Sequence, residues 1–255
     1  TGRDEDISDK DRIEQRYTLA GMTHDLKDQL NGRMALEPLR DWFPLSSYSA
    51  FTSVMDMLQG ADAPWGWSSC NCHPNCGIFT LMIVNNKTGE MRSLFEFFNY
   101  EQFMKDVATI TDTARGKKLT MAQLGMAIMR NFDASNAPEG FPIANILNLF
   151  KPSSANSNSD RNDRMKQEKS DEWRVLCVEG MWFQDLFTYD FRRTEMCVIP
   201  YGTQEGEVSF CAYNTGVGWR QIIEEMHKTA SLGEWYEEHG RHAVYAKGKE
   251  VPGIG

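Results

Sequence analysis

Cys70-Asn71-Cys72-His73-Pro74-Asn75-Cys76-Gly77 runs directly into Ile78-Phe79-Thr80-Leu81-Met82-Ile83-Val84, and this stretch organises the reading of the whole chain. The apolar run is short and rich in branched side chains, which reads as a buried strand. Asn85-Asn86-Lys87-Thr88-Gly89 has the chemistry of a turn, and Met91 to Phe98 reads as the returning strand. The cysteine loop is thus anchored to the start of a β-hairpin. Three cysteines within seven residues cannot all pair with one another, so they read as ligands rather than as a disulfide framework.

Upstream of the loop, Ser8-Asp9-Lys10-Asp11 is a helix start, and Ile13, Tyr17, Met22, Leu26 and Leu30 trace one apolar stripe that ends at Asn31-Gly32. A second helix is expected over 47–59, with Tyr48, Phe51, Met55 and Leu58 on one face. Downstream, one helix runs from Tyr100 to Thr113, the next starts on the capping pattern Thr120-Met121-Ala122-Gln123, and a third begins at Pro142. From Lys151 to Asp171 there is almost nothing apolar, which reads as a flexible polar linker. The expected organisation is therefore a helical region with the cysteine loop and hairpin over 1–150, the linker over 151–171, and C-terminal strands and helices over 172–255. In this last part Trp173 to Phe183 is strand-like. Met196 to Tyr201 and Glu207 to Tyr213 are two short strands that carry Cys197 and Cys211 at comparable places. Helices are expected over 219–228 and 232–239.

The bulk numbers narrow the function classes. A net charge of −9 argues against non-specific nucleic-acid binding. No stretch approaches the roughly 18–20 consecutive apolar residues of a membrane span. The opening residues Thr1 to Asp6 lack the basic-then-apolar pattern of a signal peptide, so a reducing, cytoplasmic setting is expected. The chain also lacks an initiator Met, and it is read as a piece of something longer. Phosphate-loop, Gly-x-Ser-x-Gly and His-Glu-x-x-His motifs are absent.

Cys-x-Cys-x-x-x-Cys is the strongest local signal. A cubane iron–sulfur cluster needs thiolates on an irregular loop plus a remote ligand, and Cys197 or Cys211 could reach back to supply it. Zinc is the rival, held by four thiolates or by three with His73. Buried free thiols are the third reading. Cys177, within an apolar strand, is assigned to packing. His73 is placed beside the ligands, His239 and His242 at a helix end, and His24 and His227 on helices. Trp65, Trp67, Trp182 and Trp219 could line an apolar cavity, although core packing is the commoner use of such residues. The run Arg3 to Asp6 reads as a solvated acidic end.

Several blocks in order resemble a radical SAM family that includes the archaeal tetraether lipid synthases. They are Asp6-Ile7-Ser8 with Arg12 and Gln15-Arg16-Tyr17-Thr18, the Cys72–Gly77 loop, Arg193 to Tyr201, Phe210 to Asn214, and Trp235 to Ala246. The resemblance is to the C-terminal half of such enzymes. It implies an α+β fold in which short β-hairpins carry a cysteine site packed against several helices, without most of the barrel. In the family, Cys-x-x-x-Cys-x-x-Cys binds the cluster that cleaves S-adenosylmethionine; here Phe79 stands where the third cysteine would be. The resemblance therefore implies that S-adenosylmethionine enters only through a barrel portion on the same or another chain. It implies an auxiliary [4Fe–4S] cluster on Cys72, Cys76, Cys197 and Cys211, with Cys70 competing for one position. Further implications are a ferredoxin- or flavodoxin-like electron donor, radical-based oxidoreductase chemistry such as carbon–carbon bond formation on a lipid-like substrate, and a location in the cytoplasm or at the membrane surface. The alternative is a non-catalytic zinc- or cluster-stabilised binding module.

Overall fold

Strand β2 (Gly77–Asn85) is the element around which the others are arranged. The structure is a computed structural model and describes residues 8–30, 32–34, 36–59, 72–113, 115–144, 146, 172–215 and 218–240. One edge of β2 is covered along its whole length by β4 (Trp173–Met181), antiparallel, from Gly77 opposite Met181 to Asn85 opposite Trp173. The other edge is shared by β1 (Phe43–Pro44), opposite Phe79 and Ile78, and β3 (Met91–Ser93), opposite Val84 to Met82. A strand with neighbours on both edges and packing on both faces has no use for polar alternation. That is why 78–84 is almost unbroken in its apolar character.

The two faces of β2 serve two cores. Phe79, Leu81 and Ile83 pack with Phe51, Met55 and Leu58 of α3 (Ser49–Gln59). The same core takes in Phe103, Val107 and Ile110 of α4 (Tyr100–Thr113) and Leu124 and Ile128 of α5 (Lys117–Asn131). Phe79 is fully buried, its ring 4.5 Å from that of Tyr48 and 5.5 Å from that of Tyr100. On the opposite face Met82 packs with Met34, Leu36 and Trp42, joined by Ile78 and by Met22 and Leu26 of α2 (Leu19–Gln29). Beneath this second core Asp41 is fully buried and accepts from Ser93 Oγ at 2.6 Å and from the Glu37 N–H at 2.6 Å. A buried carboxylate is tolerable only with such partners.

Several expected elements differ in form. The stripe from Ile13 to Leu30 is two helices, α1 (Asp9–Gln15) and α2, because the Thr18 hydroxyl accepts from the Gly21 N–H and starts a new helix. Ile13 and Tyr17 are accordingly exposed. Past Met91 only three residues remain in the strand, since Ser93 accepts from the Phe95 N–H and turns the chain into a 3₁₀ segment, Leu94–Glu96. Thr120 lies inside α5 rather than at its start, its hydroxyl donating back to the Gly116 carbonyl. The segment expected to open the C-terminal part, β4, shares one sheet with the N-terminal hairpin. Of the helix expected from Pro142, residues 142–144 and 146 are described, and Ile146 is fully buried in the larger core. The linker 151–171 lies outside the described residues.

Three substitutions test this arrangement. Phe79→Ala should cost about 3–5 kcal/mol, the usual range for an aromatic core truncation, and lower the urea midpoint accordingly. Gly77→Ala should also destabilise, because a Cβ there would meet the Leu45 side chain and stand 2.9 Å from the Gly180 carbonyl oxygen. At Gly180→Ala the obstruction is the end of the flexible Met22 side chain, so a smaller midpoint shift is expected.

Candidate metal centre

The cysteine loop is shaped before it meets anything else. His73 Nδ1 accepts from the Asn75 N–H at 3.2 Å, and the Cys76 N–H donates to the His73 carbonyl at 2.8 Å. With Pro74 in the first position, this makes one 3₁₀ turn, Pro74–Cys76, between Cys72 and β2. Both thiols are withdrawn from solvent, Cys72 being 4% and Cys76 8% exposed. The ladder between β2 and β4 then continues one step past its last pair, as the Trp182 N–H donates to the Cys76 carbonyl at 2.9 Å.

The other two cysteines arrive on a hairpin. Strands β5 (Pro200–Thr203) and β6 (Gly206–Ser209) pair antiparallel, Pro200 opposite Ser209. The Phe210 N–H bonds to the Ile199 carbonyl at 2.9 Å, extending the pairing toward the site. Cys197 precedes the hairpin, after the short helix α6 (Phe191–Glu195). Cys211 follows it in α7 (Phe210–Asn214), which Ser209 caps. The sequence placed both cysteines within the strands, and the structure corrects this: they flank a shorter hairpin, and pairing at its base sets their proximity.

Cys72, Cys76, Cys197 and Cys211 line one cavity of about 20 Å³, together with Trp182 and Arg193. None of these four thiols is in a disulfide. Burial pushes the Cys211 thiol up, and proximity to Cys197 adds to this, while the Gln184 N–H at 3.5 Å and the Arg193 guanidinium pull the other way. Four soft sulfur donors from three separate stretches are a donor set that an iron–sulfur cluster or a zinc ion can use. The cavity as it stands is of one-water size, since one water needs about 10–15 Å³. Admitting a cluster therefore means moving the Cys72 loop and the β5–β6 base apart. A single zinc asks for sulfurs crowded at about 2.3 Å from one ion. Among the described residues no three Cys, His, Asp or Glu side chains are grouped as they would be around a metal ion of either kind. His73, the candidate fourth zinc ligand, is engaged in shaping its own turn.

The remaining sequence candidates disperse. Cys177, assigned to packing, is instead exposed, and donates to Glu179 at 3.2 Å. It shares a sheet face with Trp173 and Val175, opposite Leu81, and its exposure is to the second cavity, which it helps to line. Its thiol is pushed up to about 12, by partial burial first and by Glu179 second. Trp182 reaches the cysteine cavity, whereas Trp219 is 47% exposed. His227 bonds to Glu205 and His239 stacks on Trp235, both away from the site; His24 faces Asp28. Cys70, Trp65, Trp67, His242 and the run Arg3 to Asp6 lie outside the described residues. Two site residues escaped the sequence reading. Arg193 sits in an ordinary-looking Arg-Arg pair, and Gln184 carries no motif, so only the three-dimensional arrangement distinguishes them.

A second cavity, of about 400 Å³, adjoins the first. Tyr48, Phe51, Leu81, Phe103 and Met104 contribute its apolar wall. Cys72, Met181, Val198 and Ile199 line both cavities. Among the described residues no helix is long and apolar enough to cross a membrane.

The raised Cys177 thiol gives a direct test. Alkylation of native protein by iodoacetamide at pH 8 should modify Cys177 at least ~10-fold more slowly than an ordinary free thiol, despite its exposure, and should accelerate with each rise in pH. Peptide mapping of the alkylated chain reads the rate.

No family model matches the chain. It is similar to the 7,8-dihydro-6-hydroxymethylpterin dimethyltransferase of Methanocaldococcus jannaschii, with 23% identity over 251 residues. That alignment takes in 94% of this chain and 44% of the relative, so the chain spans less than half the length of the protein it matches.

Proposed function

We propose that Cys72, Cys76, Cys197 and Cys211 hold an auxiliary [4Fe–4S] cluster, and that the chain is the cluster-bearing portion of a radical SAM enzyme. The observation that carries this reading is the convergence of four thiols, separated by up to 139 positions (72 to 211), on one buried cavity. The similarity to a dimethyltransferase is compatible with radical SAM chemistry and does not bear on the cluster itself. Phe79 occupies the place of the third cysteine of the S-adenosylmethionine-cleaving motif and is committed to the hydrophobic core. On this reading reductive cleavage belongs to a barrel portion, and a small electron donor serves the whole enzyme.

When bound, such a cluster supplies one-electron transfer; with four thiolates it has no open iron for substrate. The residues of this chain do the rest. The Pro74–Cys76 turn and the hairpin base present the thiols, and Met181, Val198 and Ile199 form the apolar wall that the two cavities share. The larger cavity suits an apolar, lipid-like substrate, which would lie against the shared wall and within short electron-transfer range. Carbon–carbon bond formation is the reaction proposed for it, by resemblance. A pterin, as in the relative's name, would find few polar partners on that wall.

Anaerobic purification with iron, sulfide and zinc quantified per chain tests the reading. About four irons and four sulfides, with broad absorbance near 400 nm, are expected. Ser at position 72, 76, 197 or 211 should each lower the iron retained, and Cys177→Ser should not. Cys70→Ser reports whether Cys70 competes for a position. One tightly held zinc in a colourless protein would overturn the proposal in favour of a structural binding module.

A further inference from the structure

Arg193 is 5% exposed, yet among the described residues no carboxylate pairs with it. The neighbouring acid, Asp190, is taken by Arg192 at 2.9 Å and by the cap of α6. Arg193 donates one nitrogen to the Trp182 carbonyl and lies 5.3 Å from the centre of the Trp182 ring. Its Nε is buried with no hydrogen-bond partner. Arg16, on the same tryptophan at 5.9 Å, also has a buried Nε without a partner but differs in having Asp185 as its counter-ion. A buried guanidinium without an anion carries a desolvation cost that one carbonyl and one ring offset only in part.

A second donor lies on this wall. Gln184 is fully buried; its Oε1 accepts from the Asp190 N–H, and its backbone N–H donates to Cys211 Sγ at 3.5 Å. Its side chain acts on the same thiol, pulling it down against the effect of burial. Both residues therefore touch or line the thiol cavity, from the 182–195 segment that connects β4 to Cys197. Donors and positive charge gathered on one cavity wall suit an occupant carrying net negative charge.

We propose that Arg193 is the built-in counter-charge for an anionic occupant of the cysteine cavity, and that it raises that occupant's reduction potential, with Gln184 as the second donor of the same wall. The inference rests on the cluster reading. Each electron added to a thiolate-ligated cluster makes it more negative, so a fixed positive charge at the cavity wall favours the reduced form. Hydrogen bonds aimed at the sulfurs act in the same direction.

The test is a redox titration of the anaerobically purified protein, followed by absorbance and by electron paramagnetic resonance, for wild type, Arg193→Lys and Arg193→Gln. The expected result is a midpoint shifted to more negative potential in Arg193→Gln and close to wild type in Arg193→Lys, with iron content unchanged. If Arg193→Gln fails to retain iron while Arg193→Lys retains it, the charge is needed to hold the cluster, which also supports the proposal. Equal midpoints in all three proteins would overturn it. So would equal iron loss in both variants, since the guanidinium would then act only through its bond to Trp182. A wild-type protein without iron defeats the cluster reading itself and is recognised before any variant is compared.

Discussion

Everything at the candidate site depends on the antiparallel pairing of β2 with β4. It brings Gly77 opposite Met181, and the added bond from the Trp182 N–H to the Cys76 carbonyl fixes the cysteine loop against the residues that follow β4. Those residues lead to Gln184, Arg193 and Cys197 in turn. Close approach at this corner requires small residues on both strands. Gly77 and Gly180 supply them, for a Cβ on Gly77 would press on the Gly180 carbonyl. The sheet thus does more than close the core: its last rung sets how far apart two of the ligand-bearing stretches stand.

The second constraint is the base of the β5–β6 hairpin. Neither Cys197 nor Cys211 is inside a strand, but the bond between Phe210 and Ile199 ties the flanking residues together. Tyr201 stacks on Phe210 at 5.3 Å and packs against Tyr213 at 4.7 Å, so the outer face of this small unit is held by rings rather than by a core of its own. A two-stranded hairpin is marginal alone and gains its stability from what it packs on. Widening the cavity to admit a cluster therefore asks little of the large core around Phe79. The compliance required is local to the Cys72 turn and the hairpin base.

Much of this was legible in the sequence where period and length agree. The helix Tyr100–Thr113 and the helix Leu232–His239 lie where the sequence placed them. The apolar run after Cys76 is the buried strand its composition indicated. Local competition escaped prediction. Thr18 and Ser93 each satisfy a nearby N–H with their hydroxyls and so end one element and start another, a choice that apolar periodicity does not register. The partner of β2 also escaped, because a pairing across the polar segment 151–171 leaves no trace in either strand. For the site, the Cys70–Cys76 loop stood out by residue type and spacing and the set of four thiols came with the family resemblance, while Arg193 and Gln184 became visible as neighbours of the thiols only through the three-dimensional arrangement. Cys177 shows the converse, an apolar context in sequence and exposure to the second cavity in space.

The shared wall between the two cavities places opposing demands on the site. Met181, Val198 and Ile199 surround the thiols with apolar surface, and a low dielectric disfavours concentrating negative charge there. Burial already pushes the Cys211 thiol up. The same setting makes reduction of any anionic centre harder. A guanidinium fixed in the same wall counters both effects, and its own desolvation, met in part by the Trp182 carbonyl and ring, is offset further when the negative charge is present. Arg193 and an anionic occupant then stabilise each other. The apolar wall that the two cavities share is in this way compatible with a charged redox centre a single side chain away.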